Sequence, residues 1–154
     1  ILDLLIYEES LVGEKYDYIL DLDITSPLRT IDDIMESFKL IHENPEANNL
    51  FSVNKAQRNP YFNMVEKKPN GFYSLVKKGK EGTIMSRQQS PKVYDLNASF
   101  YWYKRTFFDL KLKSPITDKS LIYEMNHICF DLDHTIDFLF MEYLLKNKLL
   151  NFEL

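Results

Sequence analysis

Four glycines in 154 residues constrain this chain more than any other feature, since average proteins carry about 7%. They are Gly13, Gly71, Gly79 and Gly82. Neither GxGxxG nor the Walker pattern (GxxxxGK, then Ser or Thr) can be assembled from them, which excludes two phosphate cradles that need close backbone approach. Gly79 and Gly82 lie in KKGKEG, residues 77–82, which reads as a solvated turn. A hydrophobic share of 45% and a charged share of 27% are ordinary for a globular domain, and the length suits one domain with a real core. A net charge of −4 argues against a general nucleic-acid binder. No apolar run approaches the roughly 20 residues that span a bilayer. Residues 1–10 contain no basic residue, so they are not a secretory signal. The single cysteine, Cys129, excludes an intrachain disulfide and a cysteine-built zinc site. It fits a reducing, cytoplasmic location.

Along the chain, helical and strand patterns alternate. Leu2, Leu5 and Ile6 give residues 1–12 a helical face that Gly13 ends. Residues 16–22 (YDYILDL) read as a strand, and residues 23–29 (DITSPLR) as a loop, because Pro27 lacks a backbone donor. Thr30 can cap a helix with the stripe Ile31, Ile34, Phe38 and Ile41. Residues 50–53 are expected as a short strand. The segment 54–90 is irregular, with a strong turn signal at Pro69-Asn70-Gly71. It reads as an arm or hairpin outside the main sheet. Its aromatics Tyr61, Phe62, Phe72 and Tyr73 are buried either locally or against a partner chain. Strands are expected at 98–103, 121–125 and 128–132, and a short helix at 106–112. Thr135 is expected to cap a last helix with the stripe Ile136, Leu139, Phe140, Tyr143 and Leu144. Strands separated by helices indicate an α/β fold with a mostly parallel sheet flanked by helices.

Three groups of residues carry chemistry. Asp131-Leu132-Asp133 places two carboxylates on one side of a strand end, where a divalent cation such as Mg2+ could be held; a solvated helix entry is the plain alternative. Thr25-Ser26-Pro27-Leu28-Arg29 offers hydroxyls and a guanidinium to a phosphate or carboxylate. Arg87 and Gln88, in the run RQQSPKVY, precede Asn97 and Tyr101; Arg87 could clamp a carboxylate at two points. His42, His127 and His134 lack metal-ligand spacing and read as surface residues. The runs LDLDIT and FDLDHT resemble the DxDxT signature of haloacid-dehalogenase-type phosphatases, in which Asp21 would be the nucleophile of the earlier copy. Ile24 and His134 stand where that family usually has Gly, and the later copy has too little chain after it.

In this order the three groups resemble the acylneuraminate cytidylyltransferases, the CMP-sialic acid synthetases and their relatives. That family typically shows LQPTSPLRT, then RQxxP with NGAxY after it, then DIDT before a helix. The matches are residues 22–30, residues 87–101, and Asp131 to His134 with Asp137. The resemblance covers nearly the whole chain from Tyr16 onward. It implies a nucleotide-diphospho-sugar transferase-like fold with a protruding dimerisation arm at residues 54–90. The activity implied is transfer of CMP from CTP to an acidic nine-carbon sugar, a nonulosonic acid, with release of pyrophosphate. By the resemblance, Asp131 and Asp133 are catalytic and bind Mg2+. Arg87 and Gln88 meet the sugar, Asn97 and Tyr101 shape its pocket, and Ser26 and Arg29 support the wall between nucleotide and sugar. Arg58, Tyr61 or Asn63 would reach a neighbour's site in a homodimer.

The departures are Asp23 where the family has Gln, Asp95 where many members have Arg, and Ala98 where Gly is usual. Two added acids imply altered sugar contacts and favour a legionaminic- or pseudaminic-type sugar over common sialic acid. The family's opening strand and its Arg/Lys/Gly-rich phosphate loop have no counterpart here. The expectation is therefore one partial catalytic domain over residues 1–154, equivalent to the C-terminal two-thirds of a family member. The alternative is a catalytically silent dimer-forming or binding module.

Overall fold

A capping residue and an apolar stripe make the best-determined element of this chain. Thr30 adopts extended backbone, its hydroxyl accepts the Asp33 N–H, and Asp33 Oδ2 accepts the Thr30 N–H, a reciprocal box that starts helix α2 (Ile31–His42). Ile34, Phe38 and Ile41 then pack on the sheet. Ile31, expected in the stripe, sits at the first helical position and is exposed. The computed structural model describes residues 1–79, 84 and 86–153, with the backbone alone at Arg87. Residues 80–83, which include the second half of the expected KKGKEG turn, lie outside the described residues.

The remaining elements are α1 (Leu2–Val12), β1 (Tyr18–Leu22), β2 (Asn49–Lys55), β3 (Val65–Lys67), β4 (Tyr73–Leu75), β5 (Tyr94–Lys104), α3 (Arg105–Asp109), β6 (Ser120–Glu124) and α4 (Thr135–Lys146). Ile1–Asn54 and Leu96–Leu154 form one compact unit, and Lys55–Asp95 a second. The first is built on a four-stranded sheet of order β1-β5-β2-β6. The expected largely parallel arrangement holds for β2 against β6, but β1 runs antiparallel to β5, so the sheet is mixed. The fold class is α/β. Its core centres on Ile41, Leu50, Phe100 and Met125, with Trp102 and Phe38 in ring contact at 5.1 Å and the Trp102 indole donating to Ser37 Oγ at 3.0 Å.

Three expectations fail for physical reasons. Residues 128–132 are not a strand: the Leu132 N–H goes to the Thr25 carbonyl in a loop, and the connection from β6 to α4 is irregular. Helix α4 is capped by His134 rather than Thr135, with Asp137 Oδ2 accepting the His134 N–H at 2.8 Å. Its buried residues are Met141 and Leu144, while Ile136, Leu139, Phe140 and Tyr143 are exposed. A run as apolar as FLFMEYLL has no polar face, so its periodicity selects no inner face. Gly13 does end α1, in the left-handed conformation with its N–H on the Glu9 carbonyl.

In the unit Lys55–Asp95, β3 and β4 pair antiparallel with Val65 opposite Leu75. Gly71 turns the hairpin at φ 87, with its N–H on the Lys68 carbonyl and Asn70 Oδ1 accepting the Phe72 N–H. Asn59 organises the approach to it: its carbonyl accepts the N–H groups of Phe62, Asn63 and Met64, and its side chain donates to the Pro91 carbonyl. Phe72 and Tyr73 are exposed, whereas Tyr61 and Phe62 are half-buried.

Within β5, Ala98 holds φ at 53, left-handed backbone that strains a residue with a Cβ. Ala98→Gly should raise stability by about 1 kcal/mol, read as a higher midpoint in thermal or urea unfolding; an unchanged or lower midpoint would show that the strain is relieved elsewhere.

Candidate functional site

Pro27 keeps residues 23–29 from pairing as strand, so the loop's carbonyls need other donors. Arg29 supplies them: its Nη1 donates to the carbonyls of Asp23 (2.8 Å), Ser26 (2.8 Å) and Ser99 (3.0 Å). Ser26 is completely buried, donates to the Asn97 carbonyl at 3.0 Å, and lies 3.3 Å from the Cys129 thiol. Both residues brace this loop from within. Asp23 stands at the loop's mouth, where Oδ1 accepts the Thr25 hydroxyl at 2.7 Å and the Thr25 N–H at 2.8 Å. Those two bonds hold its carboxyl below the usual aspartate range.

Asn97 and Tyr101 lie on β5. Asn97 is buried, and its side chain is spent internally on Ser52, Asn54, Ser99 and Met125. Tyr101 is half-buried, and its hydroxyl is pushed above the usual phenol value by burial and by the negative charges of Asp23, Asp21 and Asp131. Tyr103 is pushed up to about 12, by burial first and then by Asp21 and Tyr101.

The acidic pair lies in the connection from β6 to α4. Asn54 Nδ2 donates to the carbonyls of Met125 (2.9 Å) and His127 (3.2 Å), and the Leu132 N–H reaches the Thr25 carbonyl at 2.8 Å. Asp131 is half-buried, and its Oδ1 is buried with no hydrogen-bond partner. Asp133 is exposed. The pleat argument that put both carboxylates on one side of a strand therefore does not apply, because there is no strand. The pair is defined instead by a pinned loop, with one member inside and one outside. Among the described residues, no group of three or more His, Cys, Asp or Glu could hold a metal by itself. An orphaned carboxylate oxygen two residues from an exposed carboxylate nonetheless fits Mg2+, which takes one or two protein carboxylates and completes its shell with water and substrate phosphates. Cys129, beside this pair, has its thiol pushed up by burial, with Asp131 adding to the effect.

Arg87 and Gln88 belong to the unit Lys55–Asp95, where Arg87–Gln89 form a single 3-10 turn and Gln88 is exposed. The Arg87 side chain, expected at the sugar carboxylate, lies outside the described residues. Sequence reading missed Asn54, Ser52 and Ser99, which complete the Asn97 network, and it misplaced His127. That side chain is only 12% exposed and meets Asp33 Oδ2 at 2.8 Å. Two acids three residues apart on α2, Asp33 and Glu36, both take the Tyr123 hydroxyl, a (i, i+3) signal visible in the sequence only once β6 is known to lie alongside. Among the described residues, no helix is long and apolar enough to cross a membrane.

Burial pushes the Asp33 carboxyl up, but hydrogen bonds from His127 and Thr30 outweigh it, and the net direction is down. A carboxyl depressed by folding contributes stability above its unfolded value, and that contribution disappears as pH falls through the folded one. Asp33→Asn should therefore flatten the acid limb of the stability-versus-pH curve relative to the parent, measured by urea unfolding from neutral to acid pH. An equally steep acid limb in the variant would remove Asp33 as its source. Asn97→Ala should cost roughly 3 kcal/mol by orphaning Ser52 and Asn54; a loss within about 0.5 kcal/mol, the size of a surface change, would mean that water replaces the amide.

No family model matches the chain. Two curated relatives do. Post-translational flagellin modification protein B of Campylobacter coli is 36% identical over 147 residues, covering 95% of this chain and 60% of that protein. The CMP-N,N'-diacetyllegionaminic acid synthase of Campylobacter jejuni subsp. jejuni is 39% identical over 100 residues, covering 64% of this chain and 40% of that protein. The chain thus spans between two-fifths and three-fifths of the relatives it matches. With the ordered motifs and the α/β architecture that carries them, these two relatives support a CMP-sialic acid synthetase-like family, that of the acylneuraminate cytidylyltransferases.

Proposed function

We propose that the protein carrying this chain transfers CMP from CTP to a nonulosonic acid of the legionaminic type. The observation that carries the reading is the buried, unpartnered oxygen of Asp131, two residues from exposed Asp133 on a loop pinned at both ends. The name of the Campylobacter jejuni relative supports the sugar class. The anomeric hydroxyl of the sugar attacks the α-phosphorus, its O–P bond forms, and the bond to pyrophosphate breaks. The hydroxyl proton passes to a carboxylate of the acidic pair or to water. Asp131 and Asp133 would hold Mg2+, which would supply charge neutralisation at the α-phosphate, and the loop's fixed backbone keeps Asp131 from reorienting. Asp23 and Tyr101 line the acceptor side, and the family resemblance assigns Arg87 and Gln88 to the sugar's carboxylate and hydroxyls. Arg29 and Ser26 keep the intervening wall rigid. The protein works as a homodimer in the cytoplasm, where CTP is available.

Incubated with CTP, Mg2+ and a panel of nonulosonic acids, the protein should release pyrophosphate fastest with a legionaminic acid. Chelation should abolish release, and Asp131→Asn should lower kcat about 100-fold or more. A clear preference for common sialic acid would overturn the sugar assignment. Sugar-dependent release that survives in Asp131→Asn would overturn the role of the acidic pair.

A further inference from the structure

The acidic loop is fixed at its start by Asn54 and at its end by Thr25, and a third tie lies between them that the reaction scheme does not use. His127 is largely enclosed, its side chain 12% exposed. Its Nε2 is 2.8 Å from Asp33 Oδ2 and its Nδ1 is 3.0 Å from the Ile128 carbonyl. Its ring stacks on Phe152 with centroids 4.0 Å apart and planes inclined by 30°. Both nitrogens thus face acceptors, and a ring with a proton on each donates to both. Asp33 is only 7% exposed, and the same Oδ2 accepts the Thr30 N–H and hydroxyl that open α2. Its other oxygen takes the Tyr123 hydroxyl of β6, which also reaches Glu36. The charged and titratable groups facing His127 are therefore Asp33 directly, and Tyr123 and Glu36 beyond it. A charge-assisted bond in so closed a place is among the stronger single ties a side chain makes.

We propose that His127 is the positioning residue of the acidic loop: through Asp33 it locks residues 126–134 to the start of α2, and so fixes where Asp131 and Asp133 present their oxygens. The proposal rests on the cytidylyltransferase reading for what the loop binds, but not for what holds it. Removal of the ring leaves a loop of irregular backbone tied by Asn54 and Thr25 near its ends and by the Cys129–Ser26 contact within, and frees it to change where Asp131 and Asp133 stand. Groups that orient metal ligands in this indirect way typically change metal affinity about 10- to 100-fold. The ring's two functions separate by substitution. His127→Phe keeps the stack on Phe152 and loses the bond to Asp33; His127→Gln restores an N–H donor near Nε2.

Amide hydrogen exchange tests the proposal without any turnover. In metal-free protein, exchange over residues 126–134 should quicken about tenfold or more in His127→Phe, the loss expected for one charge-assisted hydrogen bond, while α2 beyond its first turn and β5 keep their protection. His127→Gln should recover much of it. Titrated with Mn2+ and followed by electron paramagnetic resonance, His127→Phe should bind about 10- to 100-fold more weakly than the parent, with His127→Gln between them. Pyrophosphate release should then show a lower kcat at saturating CTP that added Mn2+ partly restores. Unchanged exchange over the loop in His127→Phe would overturn the proposal whatever the enzyme does. Faster exchange with Mn2+ affinity unchanged would reduce His127 to a structural tie and equally overturn it. Parent protein that releases no pyrophosphate with any sugar would sink the cytidylyltransferase reading and leave the exchange and Mn2+ results to decide the role of His127.

Discussion

A buried amide side chain has four hydrogen-bonding valences, and leaving any of them empty inside a protein costs on the order of 1–3 kcal/mol. Asn97 fills all four. Oδ1 accepts from the Ser52 hydroxyl at 2.6 Å and the Ser99 N–H at 3.2 Å, and Nδ2 donates to Asn54 Oδ1 at 2.7 Å and approaches Met125 Sδ at 3.1 Å. Through those bonds one side chain joins β2 to β5 and touches the first residue of the acidic connection. The Asn97 backbone carbonyl takes the Ser26 hydroxyl, which brings in the loop with Arg29. The candidate site inherits its geometry from this amide.

The electrostatics of the region follow from the same economy of partners. Arg29 turns Nη1 to three carbonyls and so gives the loop its shape. Of the acids that act on Tyr101, Asp23 is satisfied by Thr25 and also feels the charge of Arg29, while Asp131 keeps one buried oxygen unmatched. A buried carboxylate oxygen without a donor is a standing cost in the free protein. It is tolerable where a bound cation removes it, which is how a site trades stability of the empty state for affinity.

Much of this was readable from residue pattern. The Thr30 box, the Gly13 stop, the Pro69-Asn70-Gly71 turn and the α/β alternation all rest on local chemistry, and local chemistry is written in adjacent residues. The failures share the opposite cause. Residues 128–132 have strand composition, but their backbone is taken up by partners outside the sheet, Thr25 far back in the chain among them. Helix α4 is apolar almost all round, so no stripe could be assigned. His127 looked like a surface residue because its enclosure depends on Asp33, 94 positions away, and on Phe152, 25 positions on. Arg29 was read as a polar group available at a loop, whereas the fold directs it to backbone carbonyls.

The Asn54–Asn97 bond has a consequence for how this chain can vary. The segment Lys55–Asp95 leaves just after one of these residues and rejoins just before the other. The strands that carry it, β2 and β5, are neighbours in the sheet. Its two ends are therefore held side by side by the body of the fold, whatever the segment contains. Closing a loop between ends already fixed costs little more as the loop grows, about 0.6 kcal/mol per doubling of length. Insertions and deletions there are accordingly cheap for the rest of the fold. The neck decouples the two rates of change: the segment is free to diverge in length and surface while the residues that clamp its base stay bound to one another.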